Sequence, residues 1–115
     1  MEDNCLFCAI AAGAIPADVV FADEQVLACR DIAPQAPVHV LVIPRAHYPN
    51  VAALVRQDPV LASGLLACAA QLAGDLGVDA GGYRLVMNTG EDGGQSVDHV
   101  HIHLLGQRRL GWPPG

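Results

Sequence analysis

Basic side chains are scarce in this chain: six Lys and Arg stand against twelve Asp and Glu, a formal charge of −6 over 115 residues. So thin a positive field argues against a nucleic-acid-binding surface. A small phosphorylated ligand remains compatible with it, held by local N–H groups and a few polar side chains. Long apolar runs are missing too, and the hydrophobic stretches fall far short of a bilayer span. The stretch Ala9 to Ala17 follows Glu2 and Asp3, where an export signal would carry basic residues. The expectation is a cytoplasmic protein with no membrane partner. Cysteines number four (Cys5, Cys8, Cys29, Cys68), too few for a disulfide scaffold and in keeping with a reducing compartment. Repeats, low-complexity segments and linkers are absent. With 52% hydrophobic residues the chain can build one ample core, and residues 1–115 read as a single domain.

What is present sorts into strands and one long helix. Residues 4–12 fit a short helix, with Phe7, Ile10 and Ala11 at helical spacing. Val19 to Phe21 and Val26 to Arg30 read as strands separated by the turn-forming Ala22-Asp23-Glu24-Gln25. Val38 to Ile43, β-branched and bounded by Pro37 and Pro44, is the clearest central strand. Asp58-Pro59 starts a helix as N-cap and first-turn proline. Leu61, Leu65, Cys68, Leu72 and Leu76 give it one apolar stripe, and Gly77 ends it. Tyr83 to Asn88 and His99 to Leu105 complete the set. Strands without regular βαβ alternation predict an α+β fold with an antiparallel sheet.

The last of these strands carries the most information. His99-Val100-His101-Ile102-His103 places three of the five histidines at strict alternation. A strand with this pattern turns all three imidazoles to one face and Val100, Ile102 and Leu104 into a core. Each imidazole needs its own partners and can carry charge near neutral pH, which sets this face apart from an ordinary solvated one. His39, inside the central strand, points away from Val38, Val40 and Val42 and reads as a hydrogen-bonded sheet histidine rather than a ligand.

Two further segments bear on chemistry. The loop from Asn88 to Asp98, rich in glycine, runs into the histidine strand. It reads either as a long hairpin loop or as an anion-binding concavity of backbone N–H groups, with Gln95 and Ser96 on its rim. Glu91 and Asp92 would repel a phosphate there unless they point outward. Cys5-Leu6-Phe7-Cys8 has the spacing of half a zinc site, of a redox pair, or of two small core residues. The redox reading expects an adjoining βαβ unit, which the pattern lacks. Cys29 and Cys68 read as buried apolar residues without chemistry.

His99-Val100-His101-Ile102-His103-Leu104-Leu105 resembles the signature of the histidine triad (HIT) family, in which histidines alternate with apolar residues. Asp31 to Pro37, His39 to Pro44 with His47, Gly93 to Val97 and the ending Trp112-Pro113-Pro114-Gly115 are similar to the Hint branch of that family. The resemblance covers nearly the whole chain. It implies a HIT-like fold with a five-stranded antiparallel sheet, one long and one short helix, and sheets joined across a homodimer. It also implies hydrolysis of purine nucleoside 5′-phosphoramidates to a nucleoside monophosphate and an amine.

Carried over by position, the resemblance makes His101 the nucleophile that attacks phosphorus, by way of a nucleotidylated imidazole that water later hydrolyses. His103 would orient it and touch a phosphate oxygen, and His99 would lie near the leaving group. Asp31, on its own a solvated turn carboxylate, would accept from the ribose hydroxyls, and Ile32 would wall the base pocket. Asn88, Gly94, Gln95, Ser96 and the backbone N–H of Val97 would contact the phosphate and leaving group, Ser96 with a catalytic part. Trp112, in an ending that reaches the partner's site in this branch, reads equally as an interface aromatic. For the cysteine pair the resemblance implies structural zinc, with His47 and His99 completing Cys5 and Cys8. Asp98 departs from the larger or aromatic residue that related chains often carry, which bears on the leaving-group side. Two other readings stand beside the phosphoramidase. One is hydrolysis of dinucleoside polyphosphates or nucleotidyl transfer, disfavoured by the Gly-Gln-Ser loop and the Trp-Pro-Pro-Gly ending. The other is a nucleotide-binding regulator whose turnover is incidental.

Overall fold

The structure, a computed structural model, describes residues 4–115; Glu2 and Asp3, which bear on the export reading, lie outside them. In chain order the elements are α1 (Leu6–Ala11), β1 (Val19–Ala22), β2 (Val26–Arg30), β3 (Val38–Pro44), α2 (Val51–Gln57), α3 (Pro59–Asp75), β4 (Tyr83–Val86), α4 (Gly90–Gly93) and β5 (Ile102–Gly106). The five strands form one antiparallel sheet in the order β1-β2-β3-β5-β4. This is the α+β architecture that the strand pattern predicts.

β3 sits in the middle and is buried along its whole length. Its alternation divides the molecule. Val38, Val40 and Val42 lie opposite Gly106, Leu104 and Ile102 of β5 and pack on the inner stripe of α3, where Leu61, Leu65, Ala69, Leu72 and Ala73 are buried. The Asp58 carboxylate accepts from the Leu61 N–H at 3.0 Å, with Pro59 just inside the helix. At the far end Leu76 caps α3 and Gly77 takes φ +74°, the left-handed turn that suits glycine. Cys68 and Leu76 pack only partly against this core. Ala69 and Ala73 take the innermost positions, where a small side chain lets the helix approach the sheet. Gly106 must be small for a similar reason, since a Cβ there would stand 2.7 Å from Val78 Cγ1.

The opposite face holds a second cluster of Leu27, Cys29, Leu41 and Ile43, capped by Phe7 of α1. A six-residue helix cannot stand alone. α1 is tied down by buried Phe7 and Cys8, with the Cys5 sulfur accepting from the Cys8 N–H at its N-cap. His39 and His103 project from this same face, because Leu41 pairs with His103 and His39 with Leu105. The orientation expected for His39 therefore holds.

Three elements depart from expectation. α2 is an additional helix, started by Asn50, whose Oδ1 accepts from the Ala53 N–H at 2.9 Å. α4 adds a single turn within the loop before the histidines. β5 begins at Ile102, so His99 and His101 lie outside the paired strand. The pairing stops there because the next alternate position on β3 is Pro44, which has no N–H to donate. The Val100 N–H bonds the Tyr48 carbonyl instead, at 2.8 Å. Among the described residues no helix is long and apolar enough to cross a membrane.

Candidate active site

The histidines form a continuous row along the α1 face, and fixed backbone partners assign the tautomer of most of them. His101 Nδ1 lies 2.7 Å from the His99 carbonyl. A carbonyl only accepts, so the proton sits on Nδ1 and the Nε2 lone pair is free. The ring is buried, 4.8 Å centroid to centroid and edge-on from Phe7, and 4.9 Å from the ring of His103. Burial lowers the His101 pKa, only partly offset by its bond to the His99 carbonyl and by Asp31. The neutral form is the one that can act as a nucleophile.

A relay runs behind it. The Gln35 backbone N–H donates to His39 Nδ1 at 3.0 Å, so the His39 proton must lie on Nε2. That nitrogen donates to His103 Nδ1 at 2.9 Å and lies 3.4 Å from Asp31 Oδ2. His103 consequently carries its own proton on Nε2. Asp31 is held by its Oδ1, which accepts from the Ala33 N–H at 2.8 Å. Asp31, His39 and His103 also form a group that could hold a cation, but the proton directed from His39 to His103 occupies the pair as a hydrogen bond. His39 thus acts through His103, a contact between residues far apart in the chain that local pattern does not reveal.

Burial, with His101 and His39 as neighbours, drives the His103 pKa from 6.5 down to about 4. Protonation therefore favours the unfolded chain. The stability involved is complete above the ordinary value of 6.5 and falls as pH drops from there toward about 4. For a half-buried ring this is on the order of 1–2 kcal/mol, or about 4–8 °C in Tm. Melting curves between pH 7.5 and pH 4.5 should show that decline in wild type and a shallower one in His103→Gln. Equal slopes would contradict the assignment.

His99 is fully buried. Its Nε2–H donates to the Pro44 carbonyl at 2.7 Å, which leaves Nδ1 facing Cys5 Sγ at 3.3 Å and Cys8 Sγ at 3.5 Å. His47 Nδ1 lies 3.3 Å from Cys8 Sγ. The four donors sit within 4.8 Å of one another and make up a group that could hold a metal ion. Ligands of a tetrahedral zinc stand about 3.3–3.8 Å apart, so this donor set has the right size as well as the right chemistry. The Pro44 carbonyl behind His99 is the outer partner such a ligand needs. Two roles are expected for His99, and its geometry favours one. With both nitrogens engaged, this ring has no free atom to present to a leaving group.

The loop residues also divide. Gln95 is turned inward, with Nε2 donating to the Pro49 carbonyl at 2.7 Å and the Val97 carbonyl at 3.0 Å, while Oε1 accepts from the Gly90 N–H. Both of its N–H groups are in use, so it braces the loop and has none left for a phosphate. Gly94 holds φ +77° as the cap of α4. Ser96 is exposed, Asn88 and Val97 are half-buried, and Glu91 and Asp92 are exposed. Ser96 and Val97 line a cavity of about 560 Å³ with Asn4, His47 and Asp98. Ile32, next to Asp31, and Trp112 are 98% and 83% exposed, so both present their side chains to solvent.

A neutral imidazole with a free lone pair, flanked by a second that donates a proton, has the chemistry that a nucleophile requires. Residues 12–110 match the model of the HIT domain. An uncharacterized HIT-like protein of Synechococcus elongatus is 47% identical over 115 residues, covering all of both chains. The crystal structure of a HIT family hydrolase from Legionella pneumophila superposes with a TM-score of 0.94 at 51% identity, over 97% of this chain and 100% of that one. A histidine triad nucleotide-binding protein from Candida albicans gives 0.86 at 30% identity, over 96% and 83%. The chain belongs to the HIT family.

Proposed function

We propose that the protein is a nucleotide hydrolase of the Hint branch that cleaves the P–N bond of purine nucleoside 5′-phosphoramidates. The observation that carries this reading is the His101 tautomer: Nδ1–H held by the His99 carbonyl at 2.7 Å, with Nε2 free to attack. In the first step Nε2 bonds to the α-phosphorus and the P–N bond breaks. The electron pair leaves with the amine, which takes up a proton from solvent beside Ser96. The His99 carbonyl stabilises the imidazolium so formed, and His103 Nε2–H donates to a phosphoryl oxygen. Water then attacks phosphorus, the N–P bond breaks, and a nucleoside monophosphate leaves neutral His101 behind. Asp31 Oδ2 accepts from the ribose hydroxyls, and Ile32 walls the base. The backbone N–H of Val97, with Ser96 and Asn88, completes the phosphate contacts.

A homodimer fits this reading. β4 is an edge strand that begins at the exposed Tyr83, and exposed Trp112 suits a place beside a partner's site. The metal group fits zinc, with Cys5, Cys8, His47 and His99 as its holders. Four protein donors leave no open position, so zinc there would link α1 to the start of β5 rather than take part in the reaction.

The test is release of AMP from adenosine 5′-phosphoramidate, set beside hydrolysis of diadenosine tetraphosphate. The expected result is turnover of the phosphoramidate at least tenfold faster in kcat/KM. The reverse order would support the polyphosphate reading. AMP binding without turnover of either compound would support the nucleotide-binding regulator.

A further inference from the structure

The histidine row gives the site a direction. At one end Asp31 joins His39 and His103, and His101 stands next along the chain. Beyond it His99 meets His47, their rings 4.9 Å apart. A nucleoside phosphoramidate is linear, with ribose, phosphorus and amine in that order. With ribose at Asp31 and phosphorus at His101, the amine must extend toward the His47 end. The cavity of about 560 Å³ opens there, and it shares Ser96 and Val97 with the phosphate contacts. Its volume far exceeds that of an ammonia leaving group, so it has room for a substituted amine.

The charge of that cavity is one-sided. Asp98 lines it, exposed to solvent and with no hydrogen bond or ion pair among the described residues. No lysine or arginine is among its lining residues; Asn4 and Ser96 are neutral, and Cys5 and His47 belong to the candidate metal group. On this basis, and resting on the proposed phosphoramidase reading, we infer that Asp98 selects substrates whose amine leaving group carries a second, cationic centre, such as a diamine or a basic amino acid. The carboxylate meets a positive charge carried a few bonds beyond the scissile nitrogen. An anionic leaving group, including the nucleotide released from a dinucleoside polyphosphate, meets the same carboxylate with no cation to offset it.

Three adenosine 5′-phosphoramidates of similar length test this, bearing N-(3-aminopropyl), N-propyl and N-(2-carboxyethyl) groups. In wild type kcat/KM should fall in that order, by about fivefold per step, the size of an exposed ion pair. The spread should shrink in 0.5 M salt, because exposed charges are screened. It should collapse toward unity in Asp98→Asn and invert in Asp98→Lys. The readout is a ratio within one protein sample, so partial misfolding of a variant does not affect it. Equal rates for the three substrates in wild type would overturn the inference while leaving the phosphoramidase reading intact. The same order and spread in Asp98→Asn as in wild type would also overturn it. Absence of turnover with all three would overturn the functional reading and this inference with it.

Discussion

His101→Ala should lower kcat for phosphoramidate hydrolysis by about 10⁴-fold or more, with AMP affinity within about threefold of wild type. Removing the group that forms the covalent bond eliminates the route itself, which is why such losses are far larger than those of binding residues. Nucleoside monophosphate binding has other sources. Asp31 is held by its own turn at 2.8 Å, and the loop is braced by Gln95 through three hydrogen bonds. Neither depends on the His101 ring. The variant should also fold. His101 sits beneath Phe7, outside the paired strand, and both hydrophobic clusters are built from other residues. Truncation there leaves a gap costing on the order of 1–3 kcal/mol, which a melting curve would register. Labelled AMP trapped on wild type after acid quench, and missing from the variant, would locate the bond. Turnover above about 1% of wild type in folded His101→Ala would remove His101 as the nucleophile.

The pH dependence of the same assay follows from burial. Because burial holds the His101 pKa below the ordinary histidine value, the acid limb of the activity profile should lie at lower pH than an exposed imidazole would give. An acid limb centred at or above pH 6.5, the ordinary histidine value, would contradict the buried, neutral His101.

Much of this site is legible in the sequence because one strand carries it. Period two fixes which face His103 and His39 share, and the buried β-branched run of β3 fixes where that face lies. The remainder depends on contacts that sequence distance hides. The length of β5 is set by Pro44, which lies across the sheet in a different strand and cannot extend the ladder. The partner of His103 is His39, 64 residues away. Gln95 stands among residues suited to phosphate, yet a carbonyl from the chain before α2 takes one of its N–H groups. α2 itself has a local signal, Asn50 ahead of an apolar run, which the stronger Asp58-Pro59 start overshadows. His99 has two expected roles in sequence, and only three-dimensional geometry ranks them.

That ranking leads to the second large effect. Chelation should lower Tm by about 10 °C or more, and Cys5→Ser and Cys8→Ser should each reproduce most of the loss, with Cys8→Ser the more severe. α1 has six residues and no independent stability. Its attachments to the rest of the molecule include the Phe7 and Ile10 contacts, the Arg45 guanidinium on the Ala11 carbonyl at 2.7 Å, and the Cys5–Cys8–His47–His99 group. Structural zinc adds a large share of folding energy in small domains, where apparent values reach about 10–16 kcal/mol. Here the sheet and α3 form a core without it, so the loss should unfasten α1 rather than unfold the whole chain. At about 4 °C per kcal/mol for a domain of this size, a few kcal/mol accounts for the expected shift. Cys8 is 3% exposed and contacts both histidines, whereas Cys5 contacts one and is partly open. Phe7 lies between the two cysteines and against His101, so detaching α1 should also reduce kcat while AMP still binds at the Asp31 end. Elemental analysis of the purified protein should give one zinc per chain. No zinc, together with an unchanged Tm in Cys8→Ser, would return the cysteine pair to the status of two small core residues.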